Sequence, residues 1–260
     1  MKHASIQAVY LDHMGTDITV VNAARASFGK DSQFLDGNVL SKADASLIKF
    51  LATGYRSNEW ENFLDQIIQL SYEITTKDET KRDELTTLLH AYKRKAQHWA
   101  PFGHPHVQIR MTLPIFLARQ FVKHQIGGVW SEESRRYISD EPGVWLSQEW
   151  HTRPDDIKQG SAGPVDDQTT VDHIAMSATM SSLRAYENML AEGTAPEEAR
   201  IVLPLNMMTT VVWTGSLLFW SRVCNQRVDS HAQLPAQELG KIIASIMEPL
   251  FPVSWKHLTT

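Results

Sequence analysis

Disulfides are the first thing missing: the 260-residue chain has one cysteine, Cys224. A single thiol excludes an internal disulfide framework and suits a reducing compartment. Long apolar runs are missing too. No stretch nears the roughly 18 uninterrupted apolar residues that a helical span needs, so no membrane association is expected. Positive charge is not in excess: 25 Lys and Arg against 30 Asp and Glu give a formal net charge of -5. A broad nucleic-acid surface is normally basic, so no nucleic-acid partner is expected. One discrete anion site is still compatible, because a few clustered arginines suffice for a phosphate. The dinucleotide loop Gly-x-Gly-x-x-Gly does not occur. The opening, Met1-Lys2-His3-Ala4-Ser5, runs into a strand-like segment rather than a cationic and then apolar leader. The expected location is therefore cytoplasmic.

What is present is a large apolar complement, 42% of the residues, with eight Trp, nine Phe and nine Met. That is enough for a substantial core and argues against disorder. Ser5 to Leu11 reads as a first strand, Val20 to Arg25 as the start of a helix, and Ala43 to Thr53 as a helix. Tyr55 to about Gln97 is more charged. Trp60, Phe63, Ile67 and Leu70 have helical spacing there, and a second helix is expected over Lys77 to Lys95, so the segment reads as a solvated helical pair.

Val107 to Leu113 alternates like a half-buried strand. Pro114 then opens a helix expected to run to about Gln125. Gly160 to Thr170 reads as a polar loop, and Val171 to Leu190 as a helix closed by Gly193. Another helix starts near Pro196, with Glu197 and Glu198 in its first turn, and Pro204 stops it. Two more cover about Leu217 to Gln226 and Ala236 to Met247. The pattern predicts one α/β domain over residues 1–260, a central twisted sheet flanked by helices, with a helical insertion at about 55–97.

Four segments carry groups suited to chemistry. In Arg119-Gln120-Phe121-Val122-Lys123-His124-Gln125, helical geometry puts Arg119, Gln120, Lys123 and His124 on one polar arc, with Phe116 intruding. Gly127 and Gly128 follow, where a sharp turn or a close backbone approach is expected. Trp130-Ser131-Glu132-Glu133-Ser134-Arg135-Arg136-Tyr137 sets two arginines beside a serine, a pattern suited to a phosphate dianion and equally compatible with an ordinary surface. Arg200 lies beside an apolar run, where a guanidinium is costly to desolvate without an anion. Arg227 and His231 flank Asp229, a possible orienting acceptor.

These segments resemble the flavin-dependent thymidylate synthases. That family's signature is Arg-His-Arg, seven residues, then Ser, continuing to Arg-Tyr. Here Lys123-His124-Gln125 replaces the first part, eight residues precede Ser134, and Arg136-Tyr137 closes it. The Lys-His-Gln form is similar to a bacteriophage variant of the family. If the chain is phage-encoded, the location would be host cytoplasm. Further matches follow in family order. They are Ala23-Ala24-Arg25-Ala26-Ser27-Phe28, Pro101-Phe102-Gly103-His104, Pro114 to Gln120, Ala199 to Asn206, and Arg227 to Gln233. The resemblance covers most of the chain except about Tyr55–Gln97 and the Gly143–Thr170 region.

The resemblance implies a homotetramer with shared sites that binds FAD, a pyrimidine deoxynucleotide and methylenetetrahydrofolate, with NADPH as reductant. The implied nucleotide site is Gln120, Glu132, Ser134, Arg135, Arg136, Arg200 and Arg227. Arg136 and Arg200 neutralise the phosphate there, and Arg227 binds the pyrimidine and stabilises charge developing on it. The implied flavin contacts are Ser27, Lys123, His124, Gln125, Ile126, Glu132 and His231. Departures from the family pattern fall at Ala100, Gly103, Ser131, Ser216, Leu218 and Arg222.

Three activities therefore compete. They are methylation of dUMP to dTMP, hydroxymethylation of dUMP or dCMP by the same flavin chemistry, and a non-catalytic nucleotide-binding homologue. Cys224, among Leu217, Trp220 and Val223 with no neighbouring base, reads as a packing residue and not as a nucleophile. His98, His104 and His106 have no cysteine or carboxylate companion, so no metal is expected.

Overall fold

The computed structural model describes residues 2–73, 79–93, 97–154 and 160–259. Its strands are β1 (Lys2–His3), β2 (Gln7–Met14), β3 (His106–Pro114), β4 (Gly128–Glu132), β5 (Gly143–Val144) and β6 (Met208–Ser216). The first helices are α1 (Asp17–Arg25), α2 (Lys42–Thr53), α3 (Ser57–Glu73), α4 (Glu79–Lys93) and α5 (Ile115–Phe121). They are followed by α6 (Gln168–Ala191), α7 (Pro196–Ala199), α8 (Leu217–Arg227), α9 (Leu234–Leu250) and α10 (Pro252–Leu258). The mixture of helices and sheets agrees with the α/β reading. Contacts divide the chain into two compact units, Met1–His13 with His106–Ile246, and Met14–Pro105 with Met247–Thr260.

The first unit holds a four-stranded sheet in the order β2-β3-β6-β4. β3 and β4 both run antiparallel to β6, with Ile109 opposite Trp213 and Trp130 opposite the same Trp213. β6 is absent from the sequence expectations. It reads Met-Thr-Thr-Val-Val-Trp-Thr-Gly-Ser, rich in the β-branched and aromatic residues that favour a pleated surface. Trp213 is the hub of its core. Phe219, Trp220 and Trp130 meet it edge-on at 4.8, 5.1 and 5.0 Å between ring centres, a favoured geometry for aromatic pairs. The buried Trp220 indole donates to the Val107 carbonyl at 3.1 Å, so the core satisfies its own polar group.

Helix ends follow local chemistry. Ser216 caps α8 by accepting from the Phe219 amide at 3.2 Å, and Asp167 caps α6 by accepting from Thr170 at 2.9 Å. Gly193 (φ +83°) follows α6 and donates to Leu190, which closes the helix as expected.

α5 is shorter than expected. Pro114 is its N-cap and the last residue of β3, and the helix ends at Phe121 rather than near Gln125. Val122 donates back to Ala118, and the His124 amide then bonds Phe121 in a turn. Lys123 and His124 therefore leave the arc that a longer helix would have given them. The glycines beyond take both expected roles. Gly127 has φ +88°, and a Cβ on Gly128 would lie 2.6 Å from the Phe219 ring. Gly128→Ala should destabilise the fold by about 1–3 kcal/mol through overpacking. Chemical unfolding against the native chain checks this, and an unchanged midpoint would contradict it.

In the second unit, α2 begins at Ser41, whose hydroxyl accepts from Asp44, and ends at Gly54 with φ +75°. α3 and α4 supply the expected helical pair. Phe63 is buried and stacks on Tyr55 at 6.0 Å, whereas Tyr72 is exposed. Lys77 and Lys95, the expected ends of the second helix, lie outside the described residues, as does the Trp60 side chain.

Candidate functional site

β4 and the turn after it build one side of a cavity of about 550 Å³ in the first unit, lined by Glu132, Ser134, Arg135, Arg136 and Arg200 among others. The Glu132 carboxylate is fixed at both oxygens. The Thr209 hydroxyl donates to one at 2.9 Å and the Trp130 indole to the other at 3.2 Å. Arg136 Nε donates to Ser134 Oγ at 3.0 Å. Arg200 sits on a single 3-10 turn after α7 and bonds the Glu197 carbonyl at 3.1 Å.

Neither Arg136 nor Arg200 has an ion-pair partner among the described residues. Arg135 is different: its Nη1 donates to the Asp140 carbonyl at 2.6 Å and carboxylate at 3.0 Å, tying the turn together. Its Nε is buried without a partner among the described residues. Two unneutralised guanidiniums and a buried donor in one cavity are what a multi-oxygen anion satisfies.

A second cavity in the same unit, about 680 Å³, is lined by Gln120, Lys123, Arg227, Asp229 and His231 among others. Arg227 is held on three sides. Its Nε donates to His124 Nε2 at 3.0 Å, its Nη2 donates to the Gln120 carbonyl at 3.0 Å, and its guanidinium lies 5.6 Å from the Phe121 ring centre. The Gln120 amide reaches Gln233 at 2.6 Å. Burial lowers the Arg227 pKa from its ordinary value. Burial first, then the Arg227 charge, lowers that of His124. Asp229 accepts from both the His231 amide and ring at 2.8 Å.

No residue lines both cavities. Within one chain, Glu132, Ser134, Arg135, Arg136 and Arg200 come together, and Gln120, Lys123, Arg227 and His231 come together elsewhere, with His124 bonded to Arg227. Gln125 and Ile126 are exposed in the turn after α5, Ile126 at 84%. Ser27 belongs to the second unit, where its hydroxyl donates to the Ala24 carbonyl at 3.3 Å in an exposed turn.

Sequence reasoning misses the supports at Asp140 and Thr209, which no motif marks. It also leaves Phe116 unexplained. That ring packs on Trp145 at 5.5 Å beside a third and larger cavity, about 890 Å³, whose walls include Trp150, Glu149 and Glu238. None of the sequence-derived site residues lines it.

Cys224 is buried, its sulfur 3.6 Å from the Gly240 carbonyl, and burial pushes its thiol up to about 12. A thiol so rarely ionised is a poor nucleophile. Cys224→Ala should leave turnover largely intact, as a steady-state assay would show; total loss in a folded variant would contradict it. Among the described residues no group of three or more His, Cys, Asp or Glu is placed to hold a metal ion. Among the same residues no helix is long and apolar enough to cross a membrane.

Comparison with known proteins gives four findings. The family model described as "Thymidylate synthase complementing protein" matches residues 10–253. A flavin-dependent thymidylate synthase of Kosmotoga olearia is 35% identical over 170 residues, covering 64% of this chain and 72% of that one. One from Wolbachia pipientis is 26% identical over 259 residues, covering 98% of this chain and 73% of that one. Among solved structures, a UMP/dUMP methylase, PolB from Streptomyces cacaoi bound with 5-Br dUMP, superposes with a TM-score of 0.73 at 21% identity. It covers 100% of this chain and 97% of its own, and so shares the fold.

Proposed function

Because the chain belongs to the flavin-dependent thymidylate synthase family, we propose that it moves the methylene carbon of methylenetetrahydrofolate to dUMP and yields dTMP with FAD and NADPH. The observation that carries this reading is the pairing of Arg136 and Arg200, both without ion partners among the described residues, beside a fixed Glu132. The cavity suits one phosphate, not a polymer.

Arg136 and Arg200 bind the phosphate. Ser134 orients Arg136, and Arg135 braces the turn through Asp140. Glu132, with both oxygens already accepting, keeps a defined position for an acceptor next to the nucleotide. Arg227 places a guanidinium against the pyrimidine, where its charge offsets the negative charge that develops on the ring. Its partial burial strengthens that effect, because less water screens it.

The residues around the turn after α5 fit a flavin. Ile126 offers an exposed apolar surface, Gln125 an exposed amide, and His124 a ring nitrogen with no partner among the described residues. Lys123 and His231 complete the flavin contacts in this proposal. Bound FAD supplies the redox chemistry, and the protein supplies position and charge.

Since Arg227 lines a different cavity from Arg136 and Arg200, one chain alone does not complete the site. A homotetramer in which neighbouring subunits bring the two cavities together resolves this, as expected for shared sites between symmetric copies. Mass spectrometry of the product from purified protein, FAD, NADPH, methylenetetrahydrofolate and dUMP tests the activity. dTMP is expected. A hydroxymethyl product, a preference for dCMP, or no product with an intact flavoprotein would overturn it.

A further inference from the structure

The Arg227–His124 contact fixes more than a distance. An arginine Nε can only donate, so at 3.0 Å the His124 Nε2 must accept. The imidazole is therefore neutral, with its proton on Nδ1. The bond joins the turn after α5 to the end of α8. The second restraint on Arg227, at the Gln120 carbonyl, comes from α5 itself. Arg227 Nη1 keeps its hydrogens free of any partner among the described residues.

We propose that His124 is a positioning residue for Arg227: its unprotonated Nε2 clamps the guanidinium so that the unpaired Nη1 edge faces the pyrimidine. This rests on the nucleotide role given to Arg227 above. The flavin contact implied by the family resemblance uses the other side of the ring, because only Nδ1–H remains to be shared. Protonating His124 replaces an acceptor with a second cation, breaks the clamp and sets two positive charges against each other.

The other charged or titratable groups lining this cavity are Arg119, Lys123, Asp229 and His231. Asp229 and His231 are paired with one another at 2.8 Å, and among the described residues only Arg227 bonds the His124 ring. Burial first, and then the Arg227 charge, hold the His124 pKa below its ordinary value, so the ring stays neutral into mild acid.

The test has two arms, both on the full chain. In the first, imidazole nitrogen NMR of flavin-free wild type is compared with His124→Gln at neutral pH. The resonance lost in the variant should be that of a neutral Nδ1–H tautomer. An Nε2–H tautomer or an imidazolium would overturn the proposal. This arm uses no nucleotide, so its outcome holds even if the thymidylate synthase reading fails.

In the second arm, dUMP affinity is measured by calorimetry across pH. Wild-type affinity should fall in acid for two reasons: protonation of the dUMP phosphate, which His124 does not control, and protonation of His124, at a pH below its ordinary value. His124→Gln, whose amide oxygen can still accept from Arg227, should bind within about threefold of wild type at neutral pH. It should keep only the phosphate part of the decline, so that the ratio of wild-type to variant affinity falls in acid. His124→Phe should bind about tenfold or more weakly than wild type at neutral pH, the cost expected for losing a hydrogen bond to a charged group. A merely structural histidine would lower the melting temperature and leave the wild-type to His124→Gln ratio constant across pH. A constant ratio, or full affinity in His124→Phe at neutral pH, would overturn the role.

Discussion

Arg227→Ala should abolish measurable turnover while the protein stays folded. Arg227 is bonded at two of its three guanidinium nitrogens and packed over Phe121, so its charge is held in place before any substrate arrives. Preorganised charge of this kind is worth most in a partly dry site, and losing one such donor typically costs about a hundredfold to a thousandfold in rate. Removing a whole guanidinium should exceed that. The fold should survive, because no carboxylate among the described residues depends on Arg227 and its partners are an imidazole and a carbonyl. Near-native circular dichroism and melting, together with a turnover assay, check both halves. Measurable turnover in the variant would refute the catalytic role.

Arg200→Ala should act on binding instead. Arg200 touches the protein through one bond to the Glu197 carbonyl and has no ion partner among the described residues. It lines the same cavity as Arg136. Truncating one partner of a desolvated charge pair costs about 2–5 kcal/mol. On the tenfold-per-1.4-kcal/mol scale, that weakens dUMP binding by roughly 30-fold to a few thousandfold. The rate at saturating dUMP should change far less, since phosphate is held alike before and during the reaction. Calorimetric affinity and a full substrate titration separate the two effects. Near-normal affinity would remove Arg200 from the site.

Some elements are legible in the sequence and others are hidden, for identifiable reasons. α2, α6 and α8 are readable because their apolar spacing comes with end signals: Ser41 and Gly54 for α2, Gly193 for α6. β3 is readable because its alternation survives half-burial. β6 buries Val211 and Trp213 on one face and leaves Thr210, Val212 and Thr214 half-buried on the other, a contrast in polarity too weak to mark the strand by alternation. The β-branched run Thr209–Val212 is the available signal. The end of α5 falls earlier than its pattern suggests because nothing local marks it except Gly127 and Gly128, which lie several residues later.

The site shows the same division. Motif order in the sequence points to the residues that meet in each cavity. What no motif encodes is which arginines meet in one chain. Arg135 and Arg136 are adjacent, yet one is tied to Asp140 and the other bonds only Ser134 and its own neighbourhood. Arg227 takes its partners, His124 and Gln120, from more than 100 positions earlier in the chain. Those pairings come from tertiary packing, which spacing cannot reveal.

In the proposed assembly a nucleotide spans two cavities contributed by different subunits, with its phosphate on Arg136 and Arg200 and its base on Arg227. The direct test is to dissociate and reassemble an equal mixture of Arg200→Ala and Arg227→Ala chains, then assay at a dUMP concentration limiting for Arg200→Ala. If sites are shared, random assembly restores about a quarter of wild-type activity, because that fraction pairs an intact phosphate cavity with an intact Arg227. A mixture no more active than the average of its two parents under the same conditions would contradict shared sites.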